Sequence, residues 1–411
     1  MSKAWAVFLL SSANFFLSQF YRSTNAVIAP QLIRDLSLDT EELGLLSAAF
    51  FYAFGLAQIP ITVFLDPIGP RGMMTGFSLI GLAGALAFSW ADSLAMGILG
   101  RALLGIGMAC NLMGTLKLLT LWFDPLRFAT LSGIVLAIGT LGNMAATSPF
   151  VLLVDWIGWR EAIRVVAVVT LVLVLVFYAV VRDRPEEPGM KRETSGSPGI
   201  DSHWLGDLQL LFRNKDYWII SYGTFVRYGV FAAFQTLWAG PFLMEGIGLS
   251  PINAGNLIFL INAGLLLSGP LWGAVSDRVF KTRKWLVCWD LGVLTLLLAG
   301  TAWADSHSGL AILAALFFGF GIFQPGTLMY VQVKEIMPLR MAGTAMTGVN
   351  FFTMVGAAFF LQILGGLMQS LYPEASRGLT AFHTAFLLCA AFMASVSVLY
   401  AFTRDTRGQK G

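Results

Sequence analysis

Arg22 lies inside a long apolar run, in SQFYRSTNAVIAP (residues 18–30), with no carboxylate near it in sequence. At 3.6 residues per turn, Ser11, Asn14, Ser18, Arg22 and Asn25 fall on one side of a helix, a polar stripe about four turns long. A charge in the middle of a bilayer is expensive and must face a partner or a cavity. Serine and asparagine can act as glue between helices, whereas an arginine asks for an anion or a water-filled path. A second cation, Lys117, shares a helical face with Gly107, Cys110 and Gly114, small side chains that admit a neighbouring helix or a solute. It also stands close to the polar loop WFDPLR (122–127), so an alternative is that it snorkels to the interface. Tyr228, Gln235, Asn262, Gln324 and Asn350 are polar side chains in other apolar runs, fit either to line a cavity or to hydrogen-bond between helices. Asp290 is the acid set well inside a run, a structural partner for a basic neighbour or a proton relay, and His383 reads as interfacial.

The elements that must position these residues are set by composition. The chain has 411 residues, 57% hydrophobic and 12% charged, where a soluble protein would carry roughly a quarter charged residues. That places it among integral membrane proteins, and its net charge of +3 gives no reason to invoke nucleic acid. The three cysteines are scattered in apolar runs and the three histidines are dispersed, so neither a disulfide framework nor a metal centre is expected, and no cofactor motif is present. A spanning helix needs about 20 apolar residues. Twelve runs qualify, near 4–29, 42–65, 72–91, 94–121, 127–154, 161–181, 216–243, 251–276, 284–303, 309–333, 341–370 and 380–403. The first is too long for a signal peptide and lacks a cleavage site. Both termini and the even-numbered connections carry most of the 26 basic residues, and the other side holds only Arg34, Arg160, Arg164 and Arg377, which puts both termini in the cytoplasm. Residues 182–204, RDRPEEPGMKRETSGSPGIDSHW, read as a solvated linker, and WLGDLQLLFRN after it as a surface amphipathic segment. The expected domains are 1–181, a linker at 182–215, and 216–411.

The two halves repeat. A shift of 211 residues lays Pro30 on Pro241, Gly44 on Gly255 and Asp66 on Asp277. A shift of 213 lays PLR at 125–127 on PLR at 338–340, and one residue away GIG at 105–107 meets GFG at 319–321. Twelve spans, a charged central loop and a repeated acidic–basic loop after spans 2 and 8 resemble the major facilitator superfamily. Its 2–3 loop pattern, Gly-x-x-x-Asp-Arg/Lys-x-Gly-Arg/Lys-Arg/Lys, is met by TVFLDPIGPRG through Asp66, Gly69 and Arg71, with Thr62 and Pro67 departing from it. The 8–9 copy, GAVSDRVFKTRK, keeps Gly273, Asp277 and Arg278. The GWR at 158–160 and the RALLG at 101–105 also stand where the family often has them, and Arg101 then serves the fold or the coupling machinery. The resemblance implies an all-α membrane fold of two pseudo-symmetric six-helix domains that rock around a central site, with Asp66, Gly69, Arg71, Arg101, Asp277 and Arg278 biasing the gate.

Within that superfamily YRSTNAVIAP is similar to the anion:cation symporter branch, whose pattern is Asp-Arg-x-Asn-Leu-Ser-Val-Ala-x-Pro. The branch also has a basic residue five positions before WF in span 4, where Lys117 stands ahead of Trp122-Phe123. By this resemblance Arg22 and Lys117 jointly hold a carboxylate or phosphate. The substrate-binding set is then Arg22, Lys117, Tyr21, Asn25, Tyr228, Gln235, Asn262, Gln324 and Asn350. Tyr21 replaces the branch's acid and no glutamate stands near GIGMAC, so proton coupling or a counter-anion is an open choice, with Asp290 the candidate coupling group. Arg227 is not a symmetry mate of Arg22, since the shift takes Arg22 to Ala233 and Arg227 to Phe16. The expected function is secondary transport of a small organic anion by a monomer in the inner (plasma) membrane. An exporter of drugs or cations is the rival, disfavoured because GIVLAIGTLGNMAATSP lacks a proline between its glycines and because Arg22 and Lys117 repel cations. Metal uptake lacks a methionine–histidine cluster. A ligand sensor of the same fold is the other alternative, and an enzyme lacks any nucleophile, metal set or paired acids.

Overall fold

The computed structural model describes residues 3–184, 211–305, 307–337, 342–372 and 378–405. Of residues 62, 63, 66, 125, 126, 128–130, 270, 277, 278, 342–344 and 347 the backbone alone is described. The described chain is helical throughout, and its twelve spans in two units have the expected layout. Ten helical segments are long and apolar enough to cross a bilayer. Spans 1 and 7 are too polar to qualify on that measure: one carries the stripe ending at Arg22, the other Lys215, Asp216 and Arg227. Their place in the bundle comes from burial of those polar faces against neighbours, not from hydropathy.

By contact the chain divides into Met1–Thr24 with Ala49–Trp204, and Asn25–Ala48 with Leu205–Gly411. The first unit contains α1 (Lys3–Ser23), the later part of α3 (Thr40–Ile68), α4 (Pro70–Ser89), α5 (Leu94–Met108), α6 (Asn111–Trp122), α7 (Pro125–Ala145), α8 (Ser148–Ile157) and α9 (Trp159–Val180). Span 1 packs chiefly on span 5, and span 3 on spans 4 and 6. Phe8, Phe15, Leu119, Leu131 and Val135 form one core between α1, α6 and α7.

The second unit begins with α2 (Asn25–Leu36) and the start of α3. An Asp39–Glu42 capping box opens α3: Glu42 N–H donates to Asp39 Oδ1 (2.8 Å) and Asp39 N–H to Glu42 Oε2 (3.0 Å). It continues with α10 (Lys215–Ala233) and two π-helical turns, Phe234–Trp238 and Phe242–Gly246, on either side of Ala239–Pro241. Then come α11 (Pro251–Ala274), a π turn at Val275–Phe280, α12 (Lys284–Thr301), α13 (Leu310–Ile322), α14 (Gly326–Ile336), α15 (Ala342–Leu371) and α16 (Leu379–Tyr400). Span 7 packs on span 11 and span 9 on span 12, which repeats the 1–5 and 3–6 pairings of the first unit. Within this unit, Asn25–Ala48 meets the later helices across glycines. A Cβ built at Gly240 would fall 1.8 Å from the Ala26 carbonyl oxygen, one at Gly44 2.6 Å from that of Leu361, and one at Gly365 2.5 Å from that of Thr40.

Spans 1, 4 and 10 are interrupted, at Thr24, Ala109–Cys110 and Phe323–Pro325. An interrupted helix inside lipid is tolerated only where its freed backbone groups find partners. Here neighbouring spans supply them. Ser18 Oγ donates to the Met108 carbonyl (3.0 Å) and Gln58 Nε2 to that of Ala109 (3.2 Å). In span 10, Trp272 Nε1 donates to the Ile322 carbonyl (2.7 Å) and Ser268 Oγ to that of Gln324 (3.0 Å).

Candidate functional site

The break in span 1 is where two buried cations of the first unit, Arg22 and Arg101, converge. Arg101, 1% exposed, donates from Nη1 to the Tyr21 carbonyl at 3.0 Å, and Thr24 Oγ1 donates to the same oxygen at 3.1 Å. Without the turn at Thr24 that carbonyl would continue the helical ladder. The Arg101 guanidinium lies over Phe50 (4.8 Å) and Phe88 (5.8 Å), and its Nε has no hydrogen-bond partner among the described residues. The adjacent Arg22 is 8% exposed, its guanidinium 4.9 Å from the Phe54 ring centre and 5.8 Å from that of Phe51. Aromatic faces stabilise a cation. Neither the Arg101 contact nor the aromatic wall was foreseen in sequence; FFYAF at 50–54 carries a hint, rings over little more than one helical turn.

Several expected residues have other duties. Tyr21, wholly buried, joins its hydroxyl to Thr170 Oγ1 at 2.9 Å. A residue next to Arg22 is rotated about 100° around the helix, and it faces span 6 instead. In the lower stripe Ser11 Oγ and Asn14 Nδ2 donate to carbonyls of their own helix, those of Phe8 (3.2 Å) and Leu10 (2.9 Å), while Thr115 Oγ1 of span 4 donates to the Ser11 carbonyl (3.1 Å). Together with the Ser18–Met108 bond, the Thr115–Ser11 bond fixes the register of spans 1 and 4. Lys117 then has its backbone level with that of Leu9, about 20 Å along the helices from that of Arg22, a gap that the two long side chains shorten. Lys117 itself is half-buried.

In the second unit the polar candidates assemble in two groups. Arg227 Nη1 donates to Gln324 Oε1 at 2.7 Å, and Tyr228 lies against the guanidinium, 5.6 Å from carbon to ring centre. A Cβ at Gly326 would come within 2.6 Å of Nη2, so the start of α14 is shaped around this arginine. Tyr330 donates to Asn350 Oδ1 (3.1 Å) and shares a bond with Thr353 Oγ1 (3.0 Å). One to two turns further along span 7, in its first π turn, Gln235 Nε2 donates to Asn262 Oδ1 at 2.6 Å, and Asn25 Nδ2 donates to Ser47 Oγ at 2.9 Å. Asp290 is fully buried in α12, and neither of its oxygens has a hydrogen-bond partner among the described residues.

Of the gating set, Arg71 turns away from the loop. Its Nη2 and Nε donate to the Tyr178 carbonyl (2.7 and 3.1 Å) and its guanidinium stacks 4.1 Å from the Tyr178 ring centre. Gly69 precedes α4 with φ +91°, a conformation open to glycine. The side chains of Asp66, Asp277 and Arg278 lie outside the described residues, as do 185–210 and Arg377.

Interrupted helices, buried arginines at the breaks and a repeated six-span unit define a membrane transport fold. The profile of the Major Facilitator Superfamily matches residues 11–361 and 239–411, and the chain belongs to that family; it is a multi-pass membrane protein of transporter type. It is 25% identical to a probable hexose phosphate transport protein of Chlamydia muridarum, over 94% of this chain and 89% of the relative. It is 26% identical to a probable sulfoacetate transporter of Cupriavidus necator, over 74% of each. Among solved structures, a bacterial homologue of the human lysosomal transporter Spinster, inward-facing and unoccupied, superposes with a TM-score of 0.79, 17% identity, and 98% and 97% of the two chains covered. The likeness to the anion:cation symporter branch read from the sequence agrees with these relatives.

Proposed function

We propose that this protein is a secondary active transporter of a small organic anion, a carboxylate or phosphate ester, working by alternating access. The observation that carries this reading is Arg22: a buried guanidinium at a helix break, walled by Phe51 and Phe54, with its backbone held from behind by Arg101. Arginine's planar fork suits a carboxylate or phosphate. The names of the two relatives support the same chemistry. In the second half, Arg227 with Gln324, Tyr228, Tyr330 and Asn350, and Gln235 with Asn262, are the proposed ligands for the rest of the solute. The rocking bodies are 1–181 and 216–411, joined by 182–215, with Asp66, Gly69, Arg71, Arg101, Asp277 and Arg278 at the gate. Asp290 is the candidate proton-coupling group. The distribution of basic residues supports cytoplasmic termini in an inner (plasma) membrane.

A thermal-shift screen of purified protein with glucose 6-phosphate, glycerol 3-phosphate, sulfoacetate and glucarate tests the reading. One anion is expected to stabilise the protein by about 2.7 kcal/mol at a hundredfold excess over its Kd, and Arg22→Ala is expected to abolish the shift while the unliganded protein still melts cooperatively. Full stabilisation retained in Arg22→Ala, or stabilisation by organic cations alone, refutes it.

A further inference from the structure

Each half of the chain ends in the same dipeptide just past its sixth span: Arg182-Asp183 after α9 and Arg404-Asp405 after α16. In both the residue before is buried, the arginine exposed and the aspartate half-buried. Their partners correspond as well. Trp122 Nε1, at the end of span 4, donates to the Arg182 carbonyl at 2.9 Å, and Gln332 Nε2, in span 10, donates to the Arg404 carbonyl at 2.8 Å. Asp183 Oδ1 accepts the backbone N–H of Arg71 (2.7 Å), at the start of span 3. Asp405 Oδ1 accepts the backbone N–H of Arg283 (3.2 Å), at the start of span 9, while its other oxygen accepts the Thr282 hydroxyl.

The geometry points to a matched pair of clasps. We propose that Asp183 and Asp405 are positioning residues, each docking the end of its half's sixth span on the N-terminus of its third, so that the loop bearing Asp66 or Asp277 is held by a charge from the far end of the same half. A carboxylate there accepts otherwise unpaired first-turn N–H groups and meets the positive end of the helix dipole. The 2–3 loop is shaped around its clasp: a Cβ at Gly69 would lie 2.7 Å from Asp183 Oδ2. The second clasp reaches one element further, since Arg404 donates from its backbone N–H to the buried Asp216 (3.2 Å) and lays its Nε 3.5 Å from the same carboxylate, tying in span 7. Third and sixth spans thereby travel as one piece in each half. This inference stands apart from the identity of the solute.

Hydrogen exchange on the full chain in lipid nanodiscs tests it. Asp183→Ala is expected to speed exchange at the backbone amides of 71–74 by about tenfold, the ratio that loss of one hydrogen bond to a charged group brings, and to leave 283–287 unchanged. Asp405→Ala is expected to do the reverse. Asp183→Asn and Asp405→Asn keep an acceptor oxygen and are expected to restore part of the protection, which a mere loss of packing would not show. Where an alanine variant fails to fold, the asparagine variant is read alone, and a rise confined to its own loop supports the clasp. Unchanged exchange at both loops, or an equal rise at both from either substitution, overturns it.

Discussion

Replacing Arg101 by methionine separates two roles that a buried arginine can have. The guanidinium makes one hydrogen bond, to the Tyr21 carbonyl at 3.0 Å, worth about 1.5–3 kcal/mol for a charged donor. Its two aromatic contacts, at 4.8 and 5.8 Å, add about 1–2 kcal/mol each in a dry site. Against this stands a desolvation penalty of several kcal/mol per buried ion, made worse by the unpartnered Nε. The terms nearly cancel, so Arg101→Met is expected to leave the melting temperature within a few degrees. The Tyr21 carbonyl keeps Thr24 Oγ1 as a donor and is not orphaned. What is lost is the outside brace on the break, and with it the fixed direction of Arg22. Titration of the stabilising anion by thermal shift or calorimetry is therefore expected to show at least a tenfold loss of affinity, about 1.4 kcal/mol. Unchanged anion affinity, or collapse of the fold, would refute this division of labour.

Other substitutions follow from the same geometry. Lys117→Met is expected to leave anion affinity within about threefold, because its backbone stands about 20 Å along the helices from that of Arg22; a hundredfold loss in calorimetry would show that both cations share it. Tyr21→Phe removes one hydrogen bond to Thr170, about 1 kcal/mol of stability, and uptake into proteoliposomes is expected to stay near that of the unmodified protein. Asp290→Asn is expected to abolish uptake driven by an imposed proton gradient while sparing solute counterflow; retained proton-driven uptake removes Asp290 from coupling.

Hydropathy revealed ten of the spans, since lipid imposes length and apolarity on a crossing segment, whereas spans 1 and 7 and the repeat were read from the placing of particular residues. The breaks were legible only in part. Pro325 marks the one in span 10, whereas Thr24 and Cys110 are ordinary residues in a helical run, marked only by the side chains that collect their neighbours' carbonyls. Arg22 was visible as a charge without a carboxylate near it in sequence, but the level of Lys117 beside it was not, because register between helices leaves no trace in the order of residues. Arg71 was read as a gate arginine from its loop, whereas its partners Tyr178 and Asp183 stand more than a hundred residues away. The matching Arg-Asp pairs escaped the repeat search because their spacing departs from that of the loops they fasten.

The seam between Asn25–Ala48 and the later helices of its unit has a kinetic consequence. Gly44, Gly240 and Gly365 bring backbone against backbone, with carbonyl oxygens where side chains would otherwise interlock. Such contacts are individually weak, and parting them requires no rotamer to flip and no knob to leave its hole. Were this seam to part, its glycines would act chiefly on the rate, and the same close approach of backbone to backbone recurs within each unit, at Gly105 on Phe50, Gly142 on Phe16 and Gly321 on Ile261.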